Sequence, residues 1–500
     1  MTHQEYERRL RAVFIEQGEI ADIAFLEGNP TPVDGDGCAL LPLPPRCRVT
    51  YKLYPSEQSD ITCVLVLPLE GWNKRFLGTG NGGQAGVIVE GSLDAGVSHG
   101  FATANTDMGS SLDSRKMYRC PERWLDFAHR ATHLMTAVGK QLTEAFYGEK
   151  IGRAYFLGGS TGGNQALQEA QKYPEDYDGI VAVCPARNRY YLQQSFPWIV
   201  SVTCSDPSAV FTKEQIAALK RRIVEKYAVL SGSAEGDNFL SYPGKVKFTP
   251  SDVEALCEGL GLNEAQKKVL KDLHSAPVDP ERGCPLFFTP PLGSEPSSLF
   301  IPYLKDGFIK LLGFFQRWGY GEDAINVSYE EHKAVLGPYQ REFDASDPDL
   351  SAFQARRGKL IMITGSEDSL IPYTDGLAYY KSVLDEMGGE ENVAQFFRYF
   401  HVPGLGHCQG GSGLQEIGAK GGIAAISYDA EHDAVCAVMT WAEKGIAPEV
   451  LYASAFEEGD MKGTVDYERP VYPYPYETKY TGGDRKDKNH FTKVRGDGRY

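Results

Sequence analysis

Apolar residues recur along this chain with two periods that take turns. Short β-rich runs, such as ITCVLVLPL (61–69), KRFLGTG (74–80), FATAN (101–105), RAYFLGG (153–159) and GIVAVCPA (179–186), read as strands. Between them lie stretches whose apolar positions return every three or four residues. WLDFAHRATHLMTAVGKQLTEAFYG (124–148) predicts a helix of roughly 20 residues, and NQALQEAQKYPEDY (164–177) predicts a second. Upstream, the pattern predicts a helix over Gln4–Gln17, then a Pro/Gly-rich stretch that ends in strand-like CRVTYKLYP (47–55).

The rhythm breaks after Pro197. Residues 200–340 are mainly helical in pattern, as in FTKEQIAALKRRIVEKYAVL, with loops such as FFTPPLGSEPSS between helices. It resumes with KLIMITG (359–365), AQFFRYFHVPG (394–404) and a last helix in HDAVCAVMTWAEKG (432–445), and RPVYPYPYETKYTGG (469–483) predicts an irregular strap. Alternating strands and helices predict a mostly parallel, doubly wound α/β sheet. The expected organisation is a core of residues 1–198 and 345–500, with residues 199–344 inserted as a mainly helical lid.

A net charge of −16 argues against a nucleic-acid groove or an anionic membrane surface as partner. No stretch approaches the ~20 apolar residues of a membrane span. The N-terminus, MTHQEYERRLRAVF, is charged from its start and carries no apolar leader core, so a cytoplasmic location is expected, with secretion as the alternative. The ten cysteines are scattered singly, without CxxC or zinc-ligand spacing, and read as mostly reduced thiols. The pattern sets no oligomeric state.

The pattern GxSxG occurs twice, and context separates the copies. A nucleophile elbow needs a strand before the serine and a helix after it. RAYFLG-GSTGG-NQALQEAQ supplies both around Ser160, whereas Gly96-Val97-Ser98-His99-Gly100 runs into a strand, which makes Ser98 a loop residue. A phosphate-cradling glycine turn is the alternative for 158–162. It lacks the lysine of a P-loop and the acidic residue of a dinucleotide fingerprint.

In the α/β-hydrolase fold that such an elbow implies, the acid and then the base follow the serine in chain order. KLIMITGSEDSLIP places Glu367 and Asp368 just past a late strand, and Asp368 is the expected acid, with a turn-capping carboxylate as the competing role. FFRYFHVPGLGHCQGG offers His401, which continues a strand and reads as packed, and His407, which sits in a glycine-flanked loop and is the expected base. His407 would take the Ser160 proton while Asp368 fixes its tautomer. Backbone N–H groups of Thr161 and of the glycine loop at Gly82 and Gly83 would receive the oxyanion. Phe314, Phe315, Trp318 and Tyr320 are candidates for a substrate platform, although aromatic residues at helical spacing are more often core.

GWNKRFLGTGNGGQAG, ATANTDMG, DFAHRATH, GGSTGGNQALQEAQKYPEDYDGIVA, KLIMITGSEDSLIP and VPGLGHC, in that order, resemble the tannase/feruloyl esterase family. The resemblance extends over nearly the whole chain and is weakest in the lid. It implies a serine hydrolase that cleaves small-molecule esters of aromatic acids of hydroxybenzoic, gallic or hydroxycinnamic type, with Ser160, Asp368 and His407 as triad and a lid that supplies most of the acid pocket. Two departures stand out. The family's cysteine before the serine, disulfide-bonded to the one after the histidine, is replaced by Gly159, so Cys408 lacks that bridge. The family's aspartate-rich calcium loop in the lid corresponds to GSAEGDNFLSYPG, with Glu235 and Asp237 as its acids, so neither calcium nor another cofactor is expected. Two other functions fit the same residues: acyl transfer by the same triad to an alcohol or amine, and non-catalytic binding on a hydrolase scaffold.

Overall fold

Nine strands pair in the order β1–β2–β3–β5–β4–β6–β7–β8–β9 in the computed structural model, which describes residues 1–32, 41–324, 327–419 and 425–500. They are β1 Gly18–Leu26, β2 Arg46–Leu53, β3 Ile61–Pro68, β4 Arg75–Thr79, β5 Ala102–Thr106, β6 Arg153–Gly159, β7 Gly179–Val183, β8 Lys359–Gly365 and β9 Phe397–Val402. The β1/β2, β2/β3 and β3/β5 pairs are antiparallel, and β5, β4, β6, β7, β8 and β9 run parallel. β5 and β7 are buried at every position, which is why these runs show no alternation: helices cover both faces of a parallel sheet.

Neighbouring residues of one strand feed opposite cores. Phe76, Phe156, Ala182 and Met362 pack with the helices Ala131–Tyr147 and Thr161–Lys172 on one face. Leu77, Val181, Val183 and Ile363 pack with the helix Ala434–Lys444 on the other. Residues between β7 and β8 form the helical block, whose own core includes Leu219, Ile223, Val253 and Leu270.

Four expectations need correction. The first helix ends at Arg11, and GEIADIAFL forms β1. Its alternation is blurred by a register shift between Ile20 and Asp22 and by exposure at the sheet edge. The helix expected over 124–148 is interrupted, because Asp126–Arg130 wind as one π-helical turn before Ala131–Tyr147. Pro197 does not end the core: it lies inside the helix Arg189–Cys204, so the boundary expected after residue 198 falls within a helix. The C-terminal strap is strand rather than irregular. β10 (Leu451–Phe456) pairs with β11 (Val465–Val471), and β12 (Tyr476–Tyr480) pairs with β13 (Phe491–Arg495). Prolines at 470, 473 and 475 hid these ribbons from a strand reading. Among the described residues no helix is long and apolar enough to cross a membrane.

Candidate active site

β6 delivers Ser160 to the carboxyl edge of the sheet, and the helix Thr161–Lys172 starts directly after it. Ser160 holds φ 60° and ψ −117°, a left-handed conformation that costs a non-glycine residue of order 1–3 kcal/mol. Its N–H donates to the Val183 carbonyl on β7 (2.9 Å). The turn is tight because its glycines meet backbone. A Cβ on Gly158 would lie 2.2 Å from the Gly162 carbonyl oxygen, and one on Gly80 would lie 2.4 Å from the Gly162 Cα. Glycine at 80, 158 and 162 therefore lets strand, helix and oxyanion loop close on one point.

The acid and base loops are joined in the same way. A Cβ on Gly365, at the end of β8, would lie 2.3 Å from the Leu405 carbonyl oxygen, and the Glu367 N–H donates to that oxygen (3.0 Å). This contact sets Asp368 beside His407. His407 Nδ1 lies 2.8 Å from Asp368 Oδ2, and His407 Nε2 lies 2.9 Å from Ser160 Oγ. Asp368 is fully buried, and its other oxygen accepts the N–H groups of Leu370 (3.0 Å) and Ile371 (2.9 Å). It thus does both jobs that the sequence left in competition, capping its turn and facing the histidine. The carboxylate partner assigns the proton to Nδ1, which leaves Nε2 as acceptor toward the serine hydroxyl.

Glu367, the neighbouring candidate, points elsewhere. It accepts Lys220 Nζ from the helical block and the Ser412 N–H (2.9 Å) and hydroxyl (2.6 Å) from the histidine loop. It ties three segments together beside Asp368 and His407.

The glycine loop is fixed through Asn81, whose role the sequence reading missed. The Asn81 N–H donates to Gln165 Oε1 (2.8 Å), its carbonyl accepts the Gly162 N–H (2.7 Å), and its amide donates to the Thr106 carbonyl (2.8 Å). Its own N–H is therefore spent. The N–H groups of Gly82, Gly83 and Thr161 donate to no carbonyl or side chain among the described residues. Gly82 and Gly83 line the cavity beside Ser160, while the Thr161 hydroxyl donates to the Gly83 carbonyl (2.6 Å) and sets the loop against the elbow.

That cavity holds about 720 Å³ and is mostly apolar. Phe196, Phe308, Leu311, Leu312, Phe314 and Leu370 form one wall, and the helix Glu90–Ser98 with Tyr428 and Asp433 forms another. Of the four aromatic candidates, only Phe314 lines it. Phe315 and Trp318 pack instead against Phe127, with Phe343 beside Phe315, and Tyr320 lies at the surface, where its hydroxyl donates to the Glu331 carbonyl. The helical spacing that brought these side chains together also turned most of them away from the opening. Phe308, Leu311 and Leu312 were missed because DGFIKLL shows the i, i+3, i+4 spacing of an ordinary core helix.

Two further expectations concern decoys. Ser98 ends a helix rather than lying in a loop, and its hydroxyl donates to the Asp94 carbonyl (2.8 Å). His401 is packed among Tyr242, Tyr373 and Tyr500, and burial lowers its pKa to about 4. In the lid loop Glu235 is exposed, and the buried Asp237 accepts Arg469 at 2.8 and 2.7 Å. That carboxylate is already matched by a guanidinium, which does not fit calcium's need for several hard oxygens. The described cysteines form no disulfide; Cys38 lies outside the described residues.

A sequence profile of the family described as tannase and feruloyl esterase matches residues 47–288 and 311–494. The chain is 33% identical over 453 residues to a probable feruloyl esterase B-2 of Aspergillus fumigatus, covering 89% of this chain and 85% of that protein. It superposes on the crystal structure of feruloyl esterase B from Aspergillus oryzae with a TM-score of 0.84 at 25% identity, over 98% of this chain and 100% of that one. Tannin acyl hydrolase from Aspergillus niger shares the fold, with a TM-score of 0.74 at 18% identity over 99% of this chain and 95% of that one.

Proposed function

The chain belongs to the tannase and feruloyl esterase family, and from that membership and its site we propose that it hydrolyses esters of aromatic acids through an acyl-enzyme at Ser160. The acids are of hydroxybenzoic, gallic or hydroxycinnamic type. The observation that carries the mechanism is the hydrogen-bonded series Asp368–His407–Ser160, of which His407 and Ser160 line an apolar cavity.

His407 Nε2 removes the Ser160 proton as Oγ attacks the ester carbonyl. Asp368 holds the ring by Nδ1 and stabilises the imidazolium that forms. The N–H groups of Thr161, Gly82 and Gly83 receive the negative oxygen, a contribution worth roughly 10²–10³ in rate per donor in related chemistry. The imidazolium then protonates the departing alcohol, and water repeats the sequence on the acyl-enzyme. An aromatic acyl group fits the wall formed by Phe196, Phe308, Leu311, Leu312, Phe314 and Leu370. Neither a metal nor an organic cofactor has a part in these steps.

A hydrolysis screen across gallate, ferulate, benzoate and short aliphatic esters tests the substrate class. Preference for the aromatic acids supports the reading, and turnover confined to short aliphatic esters refutes it.

A further inference from the structure

Cys184 follows β7 directly, and Cys408 follows His407. Their Sγ atoms and a ring nitrogen of His407 all lie within 4.8 Å of one another. Cys184 is fully buried, while His407 and Cys408 both line the cavity, so the cluster is reached from the substrate side. Both cysteines hold positive φ, 41° at Cys184 and 64° at Cys408, in the turns that bring the two sulfurs together.

Two thiols and an imidazole are the donor set of three-ligand zinc sites that keep a fourth position open. Zinc–ligand distances of ~2.3 Å to sulfur and ~2.0 Å to nitrogen put tetrahedral ligand atoms ~3.5–3.8 Å apart, so side-chain movements of ~1 Å close this cluster on an ion. The other such cluster among the described residues, His133–Glu169–Asp176, offers two hard oxygens and no sulfur.

We propose that Cys184, Cys408 and His407 form a binding site for Zn²⁺ or another thiophilic divalent cation, and that filling it switches the esterase off. The inhibition rests on His407 acting as proposed above; the binding does not. Two Zn–S bonds form as two thiols each lose a proton to solvent, the imidazole gives a lone pair, and no electron is transferred. Either ring nitrogen gives the same outcome. Ligation through Nε2 displaces Ser160 and removes the general base; ligation through Nδ1 moves that nitrogen's proton to Nε2, which displaces Asp368 and leaves no acceptor for the serine proton.

The test titrates phosphine-reduced enzyme with Zn²⁺, Cd²⁺ and Mg²⁺, following ester hydrolysis and, for Cd²⁺, the ultraviolet thiolate-to-metal absorption band. Wild type should be inhibited stoichiometrically by Zn²⁺ and Cd²⁺, recover with chelator, ignore Mg²⁺ and show the cadmium band. Cys184→Ser and Cys184→Ala should keep uninhibited rates near wild type and lose the band. Their half-inhibition concentration should rise by at least roughly 100-fold, the upper end of what even outer partners of metal ligands are worth. Equal sensitivity of wild type and both variants, or a wild type without the band, would overturn the proposal. The absorption readout needs no substrate, so failure of the aromatic-ester reading shows separately, as absent turnover beside an intact cadmium band.

Discussion

A Cβ built on Gly159 stands 3.6 Å from the Cβ of Cys408 and 3.1 Å from its Sγ. Disulfide-bonded cysteines keep their Cβ atoms ~3.5–4.5 Å apart. The nucleophile strand and the histidine loop thus meet at bridging distance, and what is missing is one sulfur. Gly159→Cys should therefore cross-link to Cys408 under oxidising conditions. It should raise the thermal midpoint by an amount that corresponds to about 2–4 kcal/mol and is reversed by reductant. Persistence of both thiols as alkylatable groups in the oxidised variant would show that the loops do not meet this way.

The glycine contacts at the elbow predict a sharp contrast between two alanine substitutions. Gly158→Ala drives a methyl into the Gly162 carbonyl and should displace Ser160 enough to lower kcat by about 10²-fold. Gly307→Ala meets nothing within 4 Å and should leave kcat unchanged. Steady-state kinetics on the two proteins decide it.

The aromatic residues divide by function. Phe308 is 43% exposed and lines the cavity, so Phe308→Ala should lower kcat/KM for aromatic esters roughly tenfold, from the ~1.5 kcal/mol of apolar contact removed, with little change in stability. Trp318 is fully buried away from the cavity, and Trp318→Ala should cost about 3–5 kcal/mol of stability. Denaturant unfolding and KM on both variants separate the roles; a KM effect at Trp318 without unfolding would contradict them.

Acid sensitivity follows from two buried rings. Burial lowers the pKa of His401 and of His332 from 6.5 to about 4. Between those values the unfolded chain binds more protons than the folded one. The stability these neutral rings allow is whole above pH 6.5 and falls as pH drops toward 4, by about 3 kcal/mol per ring over the full range. His401→Gln keeps a donor for the Ser241 carbonyl without a titrating ring, and should flatten the fall of Tm between pH 6.5 and 4. An unchanged slope would remove His401 from the account.

The contact of Ser160, His407 and Asp368 was legible in the sequence because each residue is announced by a local event. Ser160 stands between a strand and a helix, Asp368 follows a strand and precedes Ile371-Pro372, and His407 sits among glycines. Their contact rests on backbone approaches at Gly158, Gly162 and Gly365, which the sequence marks only as glycine. The cavity wall was less legible: Phe308 and Leu312 carry the same spacing as residues that face a core, and which side faces the opening depends on how the inserted helices pack. Asn81 was hidden for a similar reason, since its three backbone-fixing bonds reach Gln165, Gly162 and Thr106. β1 escaped because an edge strand lacks the buried alternation that reveals strands by pattern, and the C-terminal ribbons escaped because prolines punctuate the stretch that holds β11 and β12.

The central claim is covalent catalysis by Ser160, and rapid-quench mass spectrometry with a ferulate ester tests it most directly. Within the first turnover the peptide carrying Ser160 should gain the mass of the feruloyl group less one hydrogen. Ser160→Ala should show no adduct and lose at least about 10⁴-fold in kcat. A Ser160→Ala enzyme that turns over at the wild-type rate, or an acyl adduct on a different residue, would contradict the account.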